Sequence, residues 1–171
     1  TTTPAEKLTL VDGNFLQTYG SGGIKRLSTV TDPIVAGGNT PAIYVSGKYA
    51  YLAIPGGMAV VDVADPLNPT WVTSTLVTSN VVNDIYVAGK YAYLTAYANS
   101  RLLVMDISKP ASSTLVGTVA STTLANPQRV YVSGKYAYVT SYDFNTLNII
   151  DISNPVSPQI VGNVRDNLRL S

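Results

Sequence analysis

The sequence predicts an all-β protein built of repeated four-stranded antiparallel sheets. Three nearly identical segments each contain an apolar run, a Gly-Lys turn and an aromatic run, which is the pattern of a β-hairpin. A second cassette containing an Asp and a turn proline follows each of them. Units of about 40 to 50 residues with four strands each are typical of propeller blades. We therefore expect a β-propeller of about four blades. The hairpin segments are residues 43–52, 85–94 and 130–139, and the second cassettes are residues 60–66, 104–110 and 149–155.

The chain divides into four units within one predicted domain, residues 1–171. In the first unit, matched by pattern only, residues 24–31 form a predicted third strand and residues 32–35 a short fourth, after a turn at Gly20-Ser-Gly-Gly23. In the second unit we predict strands at about 42–46, 48–54, 58–63 and 70–76. Period-two spacing with frequent Pro and Gly predicts no helix anywhere. The units are approximately residues 8–40 (degenerate), 41–82, 83–127 and 128–171.

Three residue types recur in each strong unit and are predicted to be structural. A Gly in the first turn supplies positive φ. In the Tyr-Ala-Tyr triplet both rings share one face and the Ala lies on the other, so that large rings of one blade can pack on small residues of the next. An Asp before the turn proline accepts backbone hydrogen bonds in an Asx turn. These residues are Gly47, Gly89, Gly134, Tyr49, Tyr51, Tyr91, Tyr93, Tyr136, Tyr138, Asp62, Asp106 and Asp151.

Composition argues against several function classes. The chain has no His and no Cys, and Glu6 is its single Glu, so the usual general bases, thiolate ligands and nucleophile pairs are missing. A net charge of +1 with scattered Lys and Arg predicts no nucleic-acid partner. The lack of a long apolar run predicts no membrane insertion. Asp143 and Asn145 offer too few oxygens for Ca²⁺, so we predict no metal and no cofactor.

Variable loops provide the candidate binding surface. The second turns of the third and fourth units, residues 97–101 and 142–146, are longer than Pro55-Gly-Gly57 in the second unit. We expect these turns and the links between blades to share one face, where recognition residues usually lie. The candidate turn residues are Tyr97, Asn99, Arg101, Tyr142, Asp143, Phe144 and Asn145, and the candidate link residues are Asp84, Gln128 and Arg129.

The second cassettes resemble those of the LVIVD-repeat family. Residues 147–158, Leu-Asn-Ile-Ile-Asp-Ile-Ser-Asn-Pro-Val-Ser-Pro, match best, followed by residues 102–110 and 58–69. The resemblance covers about residues 41–164; in residues 8–40 it is poor, and Thr29 occupies the Asp position. It implies a β-propeller of bacterial or archaeal surface and secreted proteins, usually without a defined enzymatic activity, and it supplies no catalytic residue.

Two architectures and three functions remain open at this stage. The blades could close as a small ring, or form an arc of a larger propeller or assembly. We expect a non-enzymatic binding or structural module, on an exported, cell or virion surface, with a protein or glycan partner. The first alternative is an architectural subunit that self-assembles into a particle or filament. The second is a metal-assisted hydrolase or lyase that uses Asp84 with Arg129. Because the chain starts at Thr1 without a leader pattern, we expect a processed or excised extracellular product.

Overall fold

The computed structural model describes residues 7–11, 14–19, 23–29, 42–78, 81–97 and 100–165, with side chains from Ser28 onward. Sheet 1 is antiparallel, with strands β1 Lys7–Val11, β2 Asn14–Tyr19 and β3 Gly23–Thr29 in sequence order. The predicted strand at 32–35, the turn at 20–22 and Asn99 lie outside the described residues. Thr29 pairs with Asn14 as Asp62 pairs with Tyr49, so Thr29 does occupy the register position of the repeated Asp.

Three four-stranded antiparallel sheets follow and pack like the blades of a propeller. Each forms in sequence order because a short turn joins every strand to the next. Blade 2 contains β4 Ile43–Ser46, β5 Tyr49–Ile54, β6 Gly57–Asp62 and β7 Thr70–Leu76. Blade 3 contains β8 Val82–Ala88, β9 Tyr91–Ala96, β10 Arg101–Asp106 and β11 Thr114–Ala120. Blade 4 contains β12 Pro127–Ser133, β13 Tyr136–Ser141, β14 Thr146–Asp151 and β15 Gln159–Arg165.

The predicted all-β propeller class is confirmed by these sheets. The prediction of no helix was wrong in detail, since 3-10 helices occupy Pro110–Ser112 and Thr122–Leu124. Both are one-turn connections before or after β11, where a short 3-10 turn is a common connector. Across the described ranges, no helix combines the length and the apolar character needed to cross a lipid bilayer.

Each blade has two unlike faces, because successive strand residues point to opposite sides. We call the side carrying the repeated tyrosines the tyrosine face and the other side the aliphatic face. Between blades 2 and 3, Tyr51 and Met58 share a buried cluster with Ala92 and Leu94. Between blades 3 and 4, a second cluster joins one tyrosine face to the next aliphatic face in the same way. It contains Tyr93, Leu102 and Val104 together with Val130, Val132, Ala137, Val139 and Ile150.

The aliphatic face of blade 2 is also buried. Ala50, Leu52 and Ile54 belong to its cluster, against which Trp71 packs. The Ser28 hydroxyl of sheet 1 donates a 2.9 Å hydrogen bond to the Pro66 carbonyl oxygen of blade 2. The described contacts therefore order the units as sheet 1, blade 2, blade 3 and blade 4.

Candidate binding surface

The first hairpin turns lie together at one end of the blades, which we call the turn end. Gly47, Gly89 and Gly134 have φ values of +59°, +59° and +57°. A Cβ built on any of the three would have no neighbour within 4 Å, so the left-handed backbone, and not crowding, favours Gly there. The following lysines cover the next tyrosine ring, with Nζ to centroid distances of 5.0, 5.3 and 5.2 Å. This arrangement gives Lys48, Lys90 and Lys135 a local packing role.

The repeated aspartates form Asx turns at the same end. Oδ1 of Asp62, Asp106 and Asp151 accepts the backbone N–H two residues later, at 2.9, 2.8 and 2.8 Å. The Ala64 amide, followed by the Lys48 ammonium 3.1 Å from Oδ2, lowers the pKa of Asp62. Hydrogen bonds from the Ser108 and Ser153 side chains, followed by their amides, lower the pKa of Asp106 and of Asp151. Each carboxylate thus has a local structural contact within its own blade.

We predict that replacing all three aspartates by Asn makes the fold less sensitive to acid. Their pKa values are lowered from 3.8, so the carboxylates contribute stability above that pH, and this contribution is lost as the pH falls through the lowered values. Asn keeps the acceptor oxygen of the turn but does not titrate in this range. The measurement is the urea midpoint of both proteins from about pH 5 to about pH 2. If the urea midpoints of the two proteins fall equally as the pH is lowered, the stabilising role assigned to the three carboxylates is contradicted.

The opposite end of the blades carries the second turns and the links, and we call it the loop end. The Tyr97 amide donates to the Val81 carbonyl at 2.9 Å, and the Tyr142 amide donates to the Asn126 carbonyl at 3.0 Å. Each second turn is therefore bonded to the link that precedes its own blade. The expected grouping of turns and links on one face holds for these contacts.

The described residues of the two longer turns make equivalent contacts. The amides of Ser100 and Asn145 donate to the carbonyls of Tyr97 and Tyr142, both at 3.2 Å. Ser100 and Asn145 also adopt positive φ, at 50° and 47°. Both ends of each turn are therefore held by backbone hydrogen bonds.

Side chains on these turns and on the neighbouring link form the candidate site, which we call the loop-end patch: Tyr97, Tyr142, Asp143, Phe144 and Asn126. Tyr142 is 70% exposed, and Tyr97 and Phe144 are also exposed. The Asn126 side-chain amide donates to Asp143 Oδ1 at 3.1 Å. The Arg165 guanidinium carbon lies 4.9 Å from the centroid of the Phe144 ring. Arg101 and Asn145 are exposed at the same end.

The three residues that we expected in the links between blades lie within strands. Asp84 lies within β8, and Gln128 and Arg129 lie within β12, so the prediction that they belong to links was wrong. β-Bulges beside Asp84 and Arg129 extend these strands into the expected links and re-aim their polar side chains. Gln128 donates to Asn126 within the chain's own connection.

Asp84 joins blade 3 to blade 4. Its Oδ2 accepts the Val130 amide at 2.9 Å, and its Oδ1 lies 3.8 Å from Arg129 Nη1. Desolvation raises the pKa of Asp84, against the opposing effect of the Val130 hydrogen bond. Nearby, the side-chain amide of Asn83 donates to the Pro127 carbonyl at 2.8 Å. Among the described residues, no cluster of three or more Asp or Glu side chains is placed to hold a metal ion.

The sequence analysis did not predict an aromatic contact among the first strands of the three blades. Tyr44, Tyr86 and Tyr131, from β4, β8 and β12, form a ladder with ring centroids 4.8 and 5.1 Å apart. Desolvation, followed by a hydrogen bond with Tyr44, raises the pKa of Tyr86. Each of the three hairpin segments has a Tyr in its second position. We interpreted that part of each segment as an apolar run, so the contact between these rings was not predicted.

The stacked four-stranded sheets and their loop-bearing end define this protein as a β-propeller. The LVIVD repeat family model matches residues 37–77, 81–121 and 126–166, which together exceed half of the chain. The chain belongs to the LVIVD-repeat family. A comparison with curated proteins found no match.

Several solved structures share the fold at low sequence identity. The periplasmic gluconolactonase PpgL of Pseudomonas aeruginosa is 13% identical with a TM-score of 0.71, covering 88% of this chain and 49% of that chain. A protein of Bacteroides uniformis, provisionally described as a 6-phosphogluconolactonase, is 13% identical with a TM-score of 0.70, covering 95% and 57%. The computationally designed Ika8 protein is 13% identical with a TM-score of 0.65, covering 92% and 48%. The chain thus spans about half the length of these proteins, and the likeness concerns the fold alone.

Proposed function

We propose that this chain is a non-enzymatic recognition module that acts on an extracellular, cell or virion surface and binds a protein or glycan through the loop-end patch. The observation that supports this most is the exposure of Tyr142, Tyr97 and Phe144 on the end where the turns vary. Exposed aromatic rings beside polar groups are typical of contact sites, because they offer large apolar area at low entropic cost.

The turns are suited to recognition because the blades beneath them are rigid. Tyr142 and Tyr97 each follow a central strand of a packed blade, and their amides are bonded to the preceding links. A partner that binds these rings would therefore order little of the backbone. Preorganisation of this kind lowers the entropic cost of binding.

The chemistry of the patch favours aromatic and hydrogen-bonding contacts over charge pairing. Asp143 is already bonded to Asn126, and Arg165 covers Phe144. The chain as a whole contains only 12% charged residues and has a net charge of +1. A glycan or a polar protein surface matches these groups better than a strongly charged polymer does. The abundance of Thr, Ser, Asn and Tyr is also typical of exported and virion-surface proteins.

We expect Tyr142→Ala to weaken partner binding at least tenfold, because truncation of a central aromatic contact typically costs about 2 kcal/mol or more. The wild type would first be screened on immobilised glycans and on purified surface proteins, and each ligand found would be measured by calorimetry. Since the ring is 70% exposed, we expect the stability to change by no more than about 0.5 kcal/mol.

Val156→Ala is the matched control, because Val156 is also exposed but follows the Asx turn of Asp151 at the turn end. It should leave the affinity unchanged. Binding that survives both Tyr142→Ala and Phe144→Ala, or that Val156→Ala weakens equally, would contradict the proposed site.

An architectural subunit is the second candidate function. The observation that favours it is the exposed tyrosine face of blade 4, which carries Tyr131 and Leu147. The third candidate, a metal-assisted hydrolase, would have to release Asp84 from its contacts with Val130 and Arg129. We place it last for that reason.

A further inference from the structure

Equivalent residues of blades 3 and 4 differ in exposure although their register is the same. Leu102 pairs with Thr95 in blade 3, and Leu147 pairs with Thr140 in blade 4. Leu102 is 0% exposed and Leu147 is 39% exposed. Thr95 is buried, whereas Thr140 is exposed. The tyrosine face of blade 3 is therefore covered, and that of blade 4 is open to solvent.

The covering element in blade 3 is the next blade. Leu102 and Tyr93 share their buried cluster with Val132, Ala137 and Val139 of blade 4. Gly117 on β11 and Gly162 on β15, which hold equivalent positions in the outer strands, also differ in whether a neighbouring blade lies close to them. A Cβ on Gly117 of blade 3 would lie 2.0 Å from the Pro155 carbonyl oxygen of blade 4, whereas on Gly162 of blade 4 the closest atom would be Ile149 Cδ1 at 3.9 Å. The natural occupant of a tyrosine face is thus another blade of the same kind.

The open face of blade 4 is apolar across several strands. Tyr131 on β12 is 61% exposed and Val164 on β15 is 65% exposed. Register places Leu147 opposite Val164 and Tyr138 opposite both Tyr131 and Ile149. The equivalent positions of blade 3 are buried in an interface with the next blade. A contiguous apolar surface of this kind indicates a contact surface.

We propose that a second copy of this chain covers the tyrosine face of blade 4, presenting the opposite end of its own blade row, where sheet 1 lies. Such a contact would repeat, between two chains, the packing of a tyrosine face on the next blade that Tyr93 and Ala137 make within this chain.

The size of the face suits a stable pair. Four strands about 4.8 Å apart and about six residues long give a face of roughly 400 Å². Two such junctions, related by a twofold axis, bury roughly 1,600 Å² in total, which is the standard size of a specific interface. A head-to-tail contact that closes on itself in this way gives a ring.

The test is the mass of the protein, measured by light scattering after size exclusion and by native mass spectrometry over a range of concentrations. The wild type should show twice the 18.1 kDa mass of the chain. Leu147→Lys and Val164→Lys place a charge on the open face and should return the mass to that of one chain. Val156→Lys changes an equally exposed valine at the turn end and should leave the dimer intact. Circular dichroism would establish that each variant is folded.

Each outcome decides the proposal. A wild type of 18.1 kDa at all concentrations would overturn it, and would instead indicate that the face stays open or is covered within one chain. An assembly that survives Leu147→Lys and Val164→Lys would also overturn it. The Tyr142→Ala variant should remain dimeric, so failure of the loop-end proposal and failure of this one are distinguishable.

Discussion

Tyr93→Ala should lower the free energy of unfolding by about 3 to 5 kcal/mol, the usual cost of removing a large aromatic side chain from a core. Tyr93 is 3% exposed and lies in the cluster that joins blade 3 to blade 4. Its removal leaves a cavity between two sheets, whose backbones cannot collapse without breaking their own ladders. Urea unfolding followed by tyrosine fluorescence and circular dichroism gives the measurement.

Tyr138→Ala is the matched control, because Tyr138 occupies the same register position on the open face of blade 4. We expect it to cost no more than about 1.5 kcal/mol. Both variants should be made in the Leu147→Lys background, so that self-association does not contribute to the difference. Equal costs at the two positions would show that blade stacking does not stabilise the fold as described.

Gly117→Ala should destabilise the protein by about 3 kcal/mol, or prevent folding. The added Cβ would lie 2.0 Å from the carbonyl oxygen of Pro155, a backbone atom that can move only if blades 3 and 4 separate. Gly117 pairs with Val104 beside a β-bulge, at the point where the outer strand of blade 3 meets the loop of blade 4. Thermal unfolding of the purified variant, or its recovery in the soluble fraction, measures the effect.

Gly162→Ala is the matched control, because no atom of another blade lies within 4 Å of the added Cβ. Gly162 pairs with Ile149 as Gly117 pairs with Val104, and its Cβ would meet only Ile149 Cδ1 at 3.9 Å. We expect a change within about 1 kcal/mol. A Gly162→Ala variant that is as unstable as Gly117→Ala would mean that local strand geometry, and not contact between blades, restricts both positions.

The sequence predicts the blades well because their signals are local. Gly47 and its two repeats mark turns, Asp62 and its repeats mark strand ends, and the Tyr-Ala-Tyr alternation assigns two faces. Each of these features depends on neighbours within a few residues. Repetition strengthened each prediction, because a coincidence would not recur in three units.

The sequence does not predict whether another blade packs on the tyrosine face of a given blade. Tyr93 and Tyr138 lie in nearly identical sequence segments, yet one is covered and the other borders an open surface. Alternation gives the direction of a side chain but not what lies opposite it. The same limit applies to Asp84, whose partner Val130 belongs to the next blade.

Asn148 is another residue that the repeats did not predict. It is 0% exposed, and its side-chain amide donates to the Thr123 carbonyl at 3.0 Å and to the Ser141 hydroxyl at 3.2 Å. The corresponding residue in blade 3 is Leu103, so the polar side chain breaks the aliphatic pattern. These bonds hold the Thr122–Leu124 turn between blades 3 and 4.

Hydroxyl-radical footprinting of the tyrosines, read residue by residue by mass spectrometry, tests most directly whether the sheets stack as blades with tyrosine faces against aliphatic faces. Slow modification of Tyr51 and Tyr93, and fast modification of Tyr142, is the predicted result. Tyr51 and Tyr93 reacting as fast as Tyr142 in the folded protein would contradict it.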